Sequence, residues 1–169
     1  MVHIREIVPA DAEAFLKLCR RLDQETQFML LEPDERTFSP DQQRQALERL
    51  LASGRSTIFV AEVGQSGELV GYLAIEGGTY RRERHRATLV VGVVQTFSGQ
   101  GIGSRLFQAM ESWARKRAFH RLELTVMAHN QRALALYLRQ GFIVEGLRRQ
   151  ALFVGGRYVD EYYMAKLLD

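Results

Sequence analysis

Three glycines at alternate positions are the first residues in this chain whose spacing could support chemistry. Gly99, Gly101 and Gly103 follow an apolar stretch, 87–94. They lead into a segment, 102–113, whose apolar residues repeat at helical spacing. The pattern predicts a buried strand, a glycine-rich turn and a helix. A helix that begins at such a turn directs unpaired N–H groups and the positive end of its dipole outward. The turn is therefore expected to bind an anion such as a phosphate or a pyrophosphate.

The spacing of the glycines argues against the two commonest nucleotide-binding motifs. A P-loop ends in Gly-Lys-Ser/Thr, and no lysine follows these glycines. The dinucleotide fingerprint needs a third glycine three positions after the second. Ser104 or Leu106 occupies that position, depending on which pair of glycines is taken first.

The run Gly-Gln-Gly-Ile-Gly at 99–103 after an apolar strand resembles the acetyl-CoA-binding motif of the GNAT superfamily of N-acetyltransferases. A second run, 130–142, resembles the Asn-x-x-Ala-x-x-x-Tyr-x-x-x-Gly-Phe signature of the same family. The two motifs stand in the family's order and cover roughly the C-terminal half of the chain. One position departs from the pattern, because Ser98 stands where the family usually has Gln or Arg.

The resemblance implies a binding mode for acetyl-CoA as co-substrate. Backbone amides of the glycine turn would hold the pyrophosphate. Two adjacent strands would splay apart, and the pantetheine arm would enter the gap and pair with exposed backbone where the central strand ends. The residues implied in cofactor binding are Val93, Val94, Gly99, Gln100, Gly101, Ile102, Gly103, Ser104, Asn130 and Tyr137.

Acetyl transfer from a thioester to an amine needs a neutral amine, a stabilised oxyanion and a proton for the leaving thiolate. The resemblance places Tyr137 near the cofactor sulfur, where its phenol would act as general acid. By position alone, Tyr137 would be a core residue of an amphipathic helix. The oxyanion is expected to be stabilised by a backbone N–H near Val94. Asn130 would cap its helix and could also contact the cofactor arm through its amide nitrogen.

The general base is not evident in the sequence. Many family members carry a glutamate on the central strand, but the stretch 87–94 contains no acid. Glu76, at the end of the preceding strand, is the first candidate, and Glu32, in an early loop, is the second. A water chain is an alternative, and either carboxylate could be an ordinary surface group.

Apolar periodicity and turn residues predict the order β, α, α, β, β, β, α, β, α, β, β within a single domain, 1–169. The expected strands are 3–8, 56–63, 68–76, 87–94, 121–126, 142–147 and 158–168. The alternation predicts a mixed sheet with helices packed on its faces. The resemblance implies the GNAT-like α/β (α+β) form, a mostly antiparallel central sheet flanked by helices. The apolar stretch 87–94 is expected to be covered on both faces.

Composition limits the partners and the compartment. A formal net charge of +3 suits an anionic cofactor but is too weak to indicate nucleic acid. No apolar run reaches membrane-spanning length, the start is not a signal peptide, and the four histidines show no metal spacing. The single cysteine, Cys19, lies on an apolar helical face and permits no internal disulfide. A cytoplasmic protein without metal, membrane or nucleic-acid partner is the expectation.

The acceptor is only partly constrained. Acidic residues in the loop 25–35 would attract a cationic amine, whereas four arginines at 81–86 would suit an acidic acceptor or a partner chain; both groups could simply be solvated. The C-terminal part resembles the branch that acts on amino acids, polyamines and ribosomal-protein N-termini. The expected activity is acetyl transfer to a primary amine of a small molecule or a protein N-terminus, by direct attack in a ternary complex, and family habit allows a homodimer.

Two other classes remain open from the sequence. A non-catalytic acyl-CoA-binding module would keep the glycine turn and lose proton transfer. A nucleotide-binding oxidoreductase would also use a glycine turn, but in its first strand–helix unit and with the third glycine.

Overall fold

The computed structural model describes all 169 residues, and its central feature is a seven-stranded sheet. The strands are β1 (Val2–Glu6), β2 (Ser56–Val63), β3 (Leu69–Gly77), β4 (Arg86–Val93), β5 (Arg121–Met127), β6 (Ile143–Val154) and β7 (Arg157–Leu167). Their order across the sheet is β1-β2-β3-β4-β5-β7-β6. Only β4 and β5 run parallel, and every other neighbouring pair is antiparallel. The expected mixed, mostly antiparallel sheet is confirmed.

Four helices flank the sheet: α1 (Ala12–Glu25), α2 (Pro40–Ala52), α3 (Ile102–Lys116) and α4 (Gln131–Arg139). A methyl group added at Gly92 would meet Leu22 of α1, whereas one added at Gly71 would meet Ile102 of α3. Adjacent residues of a strand point to opposite faces, so α1 and α3 cover opposite sides of the sheet. No helix has both the length and the apolar character that crossing a bilayer requires.

The helix starts follow local sequence rules. Ser39 caps α2 by accepting the Gln42 N–H, and the Gln42 side chain returns a bond to the Ser39 N–H. Ser39, Pro40 and Gln42 are the sequence pattern of a capping box with proline at the first helical position, so this helix start can be predicted from the local sequence. Residues 9–11 form a 3-10 turn, and α1 begins after it.

β4 and β5 pair over only three positions, 86–88 with 121–123. Beyond this point the two strands diverge, although β4 continues to Val93 and β5 to Met127. The splay implied by the family resemblance is therefore confirmed. It leaves backbone groups on the inner edge of β4 without strand partners, so an extended ligand can pair there.

The expectation that β4 is covered on both faces is wrong. Ala87 and Leu89 are buried under α3, but Val90 on the opposite face is 48 % exposed and Thr88 is exposed as well. The α1 side of the sheet is thus open beside the gap. An apolar run cannot distinguish a strand buried on both faces from one that has an apolar residue on an open face.

The last two strands form a longer hairpin than the sequence predicts. β6 extends to Val154 rather than ending near 147, and a two-residue turn, Gly155-Gly156, leads into β7. Both glycines have positive φ, 58° and 78°, as a tight hairpin turn requires. The position of a methyl group at Gly155 lies 3.2 Å from the Gln27 side chain, so the hairpin tip reaches the loop after α1.

Candidate active site

The glycine turn presents a row of free N–H groups at the start of α3. Gly99 and Gly101 have φ of 76° and 78°, and open space surrounds both where a side chain would begin. The first helical hydrogen bond joins the Arg105 N–H to the Gly101 carbonyl at 3.1 Å. The N–H groups of residues 102–104 therefore have no partner within the chain, and they point along the positive end of the helix dipole. This geometry fits a pyrophosphate.

The third glycine serves helix packing. A methyl group at Gly103 would lie 2.8 Å from Cδ2 of Leu136, so its absence makes room on α3 for this side chain of α4. Ser104 also faces α4, where its hydroxyl accepts a bond from Gln140 Nε2 at 3.3 Å. The side of the turn away from α4 remains open, and Gln100 is exposed there.

Arg132 is a residue of this site that sequence reasoning missed. Its Nη1 donates to the Ser98 hydroxyl at 2.7 Å, which brings a cationic side chain from α4 to the glycine turn. The Ser98 hydroxyl donates in turn to the Gln95 carbonyl at 2.7 Å. The departure from the family pattern at Ser98 was the one sequence signal for this contact, because a short side chain leaves room for an arginine from another segment. No sequence pattern identified Arg132 as that arginine.

The backbone of β4 corrects the expected oxyanion donor. The Val94 N–H already donates to the Val70 carbonyl of β3 at 2.9 Å, so it is not available to a ligand. Hydrogen bonding alternates along an antiparallel ladder, so the N–H groups of Val91 and Val93 point the other way, into the gap. The free donors at the end of the central strand are therefore those of Val91 and Val93.

Tyr137 combines a buried ring with a free hydroxyl. The ring packs against Phe107 and Phe142, with centroids 5.8 and 6.4 Å away. The hydroxyl makes no hydrogen bond within the chain and is not sealed from solvent. Burial raises the pKa of Tyr137, so the phenol stays protonated at neutral pH. Burial also raises the pKa of Tyr72.

Asn130 caps α4 as predicted. Its Oδ1 accepts the Ala133 N–H at 3.3 Å, and its amide nitrogen makes no bond within the chain. The nitrogen therefore remains available as a donor beside the glycine turn.

The two candidate bases lie at different ends of the open sheet face. Glu76 lines a polar cavity of about 210 Å³ with Thr88 and Glu123, at the closed end of the gap. Glu76 has no ion-pair or hydrogen-bond partner through its side chain, whereas Glu123 binds Arg86 and Arg121. Glu32 lines a second cavity that includes Met127, at the far end of β5. Four residues of strand separate Glu123 from Met127, about 13 Å.

The second cavity has a volume of about 270 Å³ and lies between the loop after α1, the end of β5 and the end of β6. The loop reaches the part of β4 that has separated from β5, because Met29 Sδ is 3.6 Å from the position of a methyl group at Gly92. Glu25, the first residue of the predicted acidic loop, does not line this cavity. Its carboxylate accepts the Gln95 N–H at 2.6 Å and pairs with Arg21.

The splayed parallel pair, the glycine turn and the flanking helices together define an acyl-CoA N-acyltransferase fold. A sequence model of the acetyltransferase (GNAT) family matches residues 19–142. The chain belongs to this family. The enzyme class is therefore an acetyl-CoA-dependent N-acetyltransferase with acetyl-CoA as co-substrate, and the assignment favours this class over a nucleotide-binding oxidoreductase.

Three proteins illustrate the similarity. N-alpha-acetyltransferase RimI of Mycobacterium tuberculosis is 37% identical over 125 residues, 72% of each chain. L-amino acid N-acetyltransferase AaaT of Escherichia coli is 33% identical over 105 residues, which cover 60% of this chain and 63% of that enzyme. The crystal structure of a GNAT-family acetyltransferase from Streptococcus pneumoniae has a TM-score of 0.94 and 28% identity, with all of both chains covered.

Proposed function

We propose that this protein transfers the acetyl group of acetyl-CoA to a primary amine by direct attack in a ternary complex. The observation that carries the proposal is that two sets of backbone donors without partners follow each other along the chain: the N–H groups of Val91 and Val93 at the splayed end of β4, and those at the start of α3. The first set suits the pantetheine amides and the thioester of acetyl-CoA, and the second suits its pyrophosphate.

The chain's own groups would bind the co-substrate in three places. The N–H groups of residues 102–104 and the Arg132 guanidinium would hold the pyrophosphate, since oriented N–H groups and a cation both favour an anion. The inner edge of β4 would pair with the pantetheine arm. The free amide nitrogen of Asn130 would donate to a carbonyl of that arm.

The chemical step would use one donor for each developing charge. The amine nitrogen attacks the thioester carbonyl carbon, a C–N bond forms and the C–S bond breaks. The Val91 or Val93 N–H would stabilise the carbonyl oxygen as it becomes negative. Tyr137 would give its proton to the departing thiolate and recover one from solvent. No placed nucleophile suggests an acyl-enzyme, because the one cysteine, Cys19, is buried in the core.

Glu76 would accept the proton that the amine loses through water in the polar cavity that it lines. Glu76→Gln should then lower kcat and alter the pH–rate profile. Glu32→Gln is the comparison, because Glu32 is the second candidate base. A Glu76→Gln enzyme with an unchanged rate and pH profile would remove Glu76 from the mechanism.

The first experiment tests the co-substrate. Thermal unfolding would be followed with acetyl-CoA, CoA, NAD and ATP in parallel. A ligand that binds only the folded protein adds about 2.7 kcal/mol at a hundred times its dissociation constant. A shift with acetyl-CoA and CoA alone supports the proposal, and thiol release on addition of amines then tests turnover. Binding without turnover by any amine would favour a non-catalytic acyl-CoA-binding module.

The proposal extends to the domain, the compartment, the assembly and the acceptor. One domain, residues 1–169, would carry the whole activity, in the cytoplasm, and a homodimer is compatible with it. The acceptor would be an amino acid, a polyamine or a protein N-terminus. Similarity to both an N-alpha-acetyltransferase and an L-amino acid N-acetyltransferase supports an α-amine.

A further inference from the structure

We propose that the cavity beside Met127 selects the amino terminus of a peptide whose first side chain is apolar, and rejects free amino acids. The inference rests on the proposed function and specifies its acceptor. It is carried by the position of the cavity, by the charges on its wall and by its apolar lining.

The cavity lies where an acceptor must approach the thioester. Its lining comes from the α1–α2 loop, the end of β5 and the end of β6, on the sheet face opposite α3. Met29 joins this lining to the open part of β4 at Gly92. Phe28 of the same loop packs against His129, just before α4, with ring centroids 5.0 Å apart and the rings tilted by 55°. An amine held in the cavity would therefore face the gap from the side that the co-substrate does not fill.

The wall of the cavity carries acids and no cation. Asp23, Glu32 and Glu35 line it, and no lysine, arginine or histidine does. Arg36, which contacts the wall residue Asp23, is not free to bind a ligand, because its Nε and Nη2 donate to the Asp23 carboxylate at 2.6 and 3.2 Å. The Asp23 side chain is 0% exposed, so this pair is a fixed part of the wall. The two remaining charges are those of Glu32 and Glu35.

This charge pattern distinguishes acceptors that share the same amine. A cationic amine is attracted by Glu32 and Glu35 before it loses its proton. The carboxylate of a free amino acid would be repelled by both groups and would find no cation to bind. A peptide α-amine has its carboxyl group in an amide bond, so it has no such charge. Selection by an unfavourable interaction of this kind is a general means of specificity.

The apolar part of the lining defines the second requirement. Half of the lining residues are hydrophobic: Met29, Leu30, Leu31, Met127, Leu152, Phe153 and Val154. Leu30 and Phe153 are 76% and 62% exposed, so the apolar surface continues beyond the rim. A polyamine has no apolar side chain to bury there. A peptide with an apolar first residue can bury that side chain and continue outward over the rim.

The test compares L-methionine, L-methioninamide, glycinamide and spermidine as acceptors, by thiol release with saturating acetyl-CoA. The expected order has methioninamide first, with kcat/KM about tenfold above glycinamide because of the buried side chain. The kcat/KM for methioninamide should also exceed that for methionine. The ratio should be larger than the difference in their fractions of neutral amine accounts for. A preference for methionine or spermidine would overturn the inference and leave the proposed function intact. Thiol release with none of the four would overturn both.

A variant isolates the charge effect from the amine's own pKa. Glu35→Gln keeps an oxygen that can accept the Glu32 N–H, now bound at 2.8 Å, and removes one negative charge. The ratio of kcat/KM for methioninamide over methionine should fall about two- to fivefold, because Glu35 is an exposed carboxylate that water screens. The amine pKa values cancel between the two enzymes. Asp34→Asn is the matched control, since Asp34 is in the same loop, exposed and outside the lining. An unchanged ratio in Glu35→Gln would show that the wall charge does not select the acceptor.

Discussion

The guanidinium of Arg132 donates to the hydroxyl of Ser98 at 2.7 Å and so joins the first turn of α4 to the turn that precedes α3. Arg132 thus places a cation beside position 98, where the family usually carries a longer side chain. We propose that this arginine of the second motif contributes to the anion site of the first.

Replacing Arg132 by Gln should weaken CoA binding by about tenfold, since a charge-assisted bond to a phosphate contributes about 1.5–3 kcal/mol when it is well formed. The measurement is CoA affinity by calorimetry at two salt concentrations. The variant should also lose part of the salt dependence. Arg139→Gln, at the exposed end of the same helix, is the control and should bind CoA as the wild type does. Equal affinities for both variants would exclude Arg132 from the phosphate site.

Gly103→Ala should destabilise the protein through the contact with Leu136. Its new methyl group would lie 2.8 Å from Cδ2 of that side chain, and overpacking costs about 1–3 kcal/mol in a packed core. The end of the Leu136 side chain can move, and alanine favours a helix by about 0.5–1 kcal/mol, so the net loss should stay at about 1 kcal/mol or less. The free energy of unfolding in urea measures the effect. Adding Leu136→Ala should recover part of the loss, because the two changes share one contact. Strictly additive losses would mean that close helix packing is not the reason for this glycine.

Tyr137→Phe should lower kcat by roughly 10²–10⁴-fold, the range for loss of a general acid. CoA affinity and thermal stability should hardly change, because the ring contacts with Phe107 and Phe142 remain and the hydroxyl has no partner to lose. Single-turnover thiol release separates this effect from product release. A variant with normal kcat would assign Tyr137 to the core alone.

Alkaline pH should destabilise the fold partly through Cys19. Burial raises the pKa of this thiol from about 9 to about 11, so the folded state retains a proton that the unfolded chain loses. Its contribution is fully present below pH 9 and is lost as pH rises toward 11, with a size of roughly 2 kcal/mol. The free energy of unfolding should therefore fall less steeply with pH over this interval in Cys19→Ala than in the wild type. Identical slopes would contradict the assignment.

Arg36→Met should cost about 3–5 kcal/mol of unfolding free energy, because it leaves the Asp23 carboxylate buried without its cation. Chemical denaturation checks this value. The double variant Asp23→Asn/Arg36→Met should recover much of the loss, since no buried charge is then left. If the double variant were less stable than Arg36→Met, the charge of Asp23 would not be the cause.

The sequence determined the order of elements, the place of the glycine turn and the family, because these depend on local signals. Hydrophobic periodicity identified the strands and helices, with Ser56–Val63 predicted to the residue. Capping and turn residues identified most helix ends, as at Ser39 and Asn130. Positive φ at Gly99 and Gly101 is likewise a property that the local chain dictates.

Only the tertiary structure decided which groups are free. The Val94 N–H is bound to β3, so the open donors belong to Val91 and Val93, and this depends on the phase of a ladder that no local pattern shows. Gly103 leaves room for the side chain of Leu136, which lies 33 positions later in the chain. Arg132 reaches Ser98 because α4 packs beside α3, and Arg36 is unavailable to a ligand because it folds back onto Asp23. Each of these is a contact between distant segments, and only the packing of the whole chain brings such segments together.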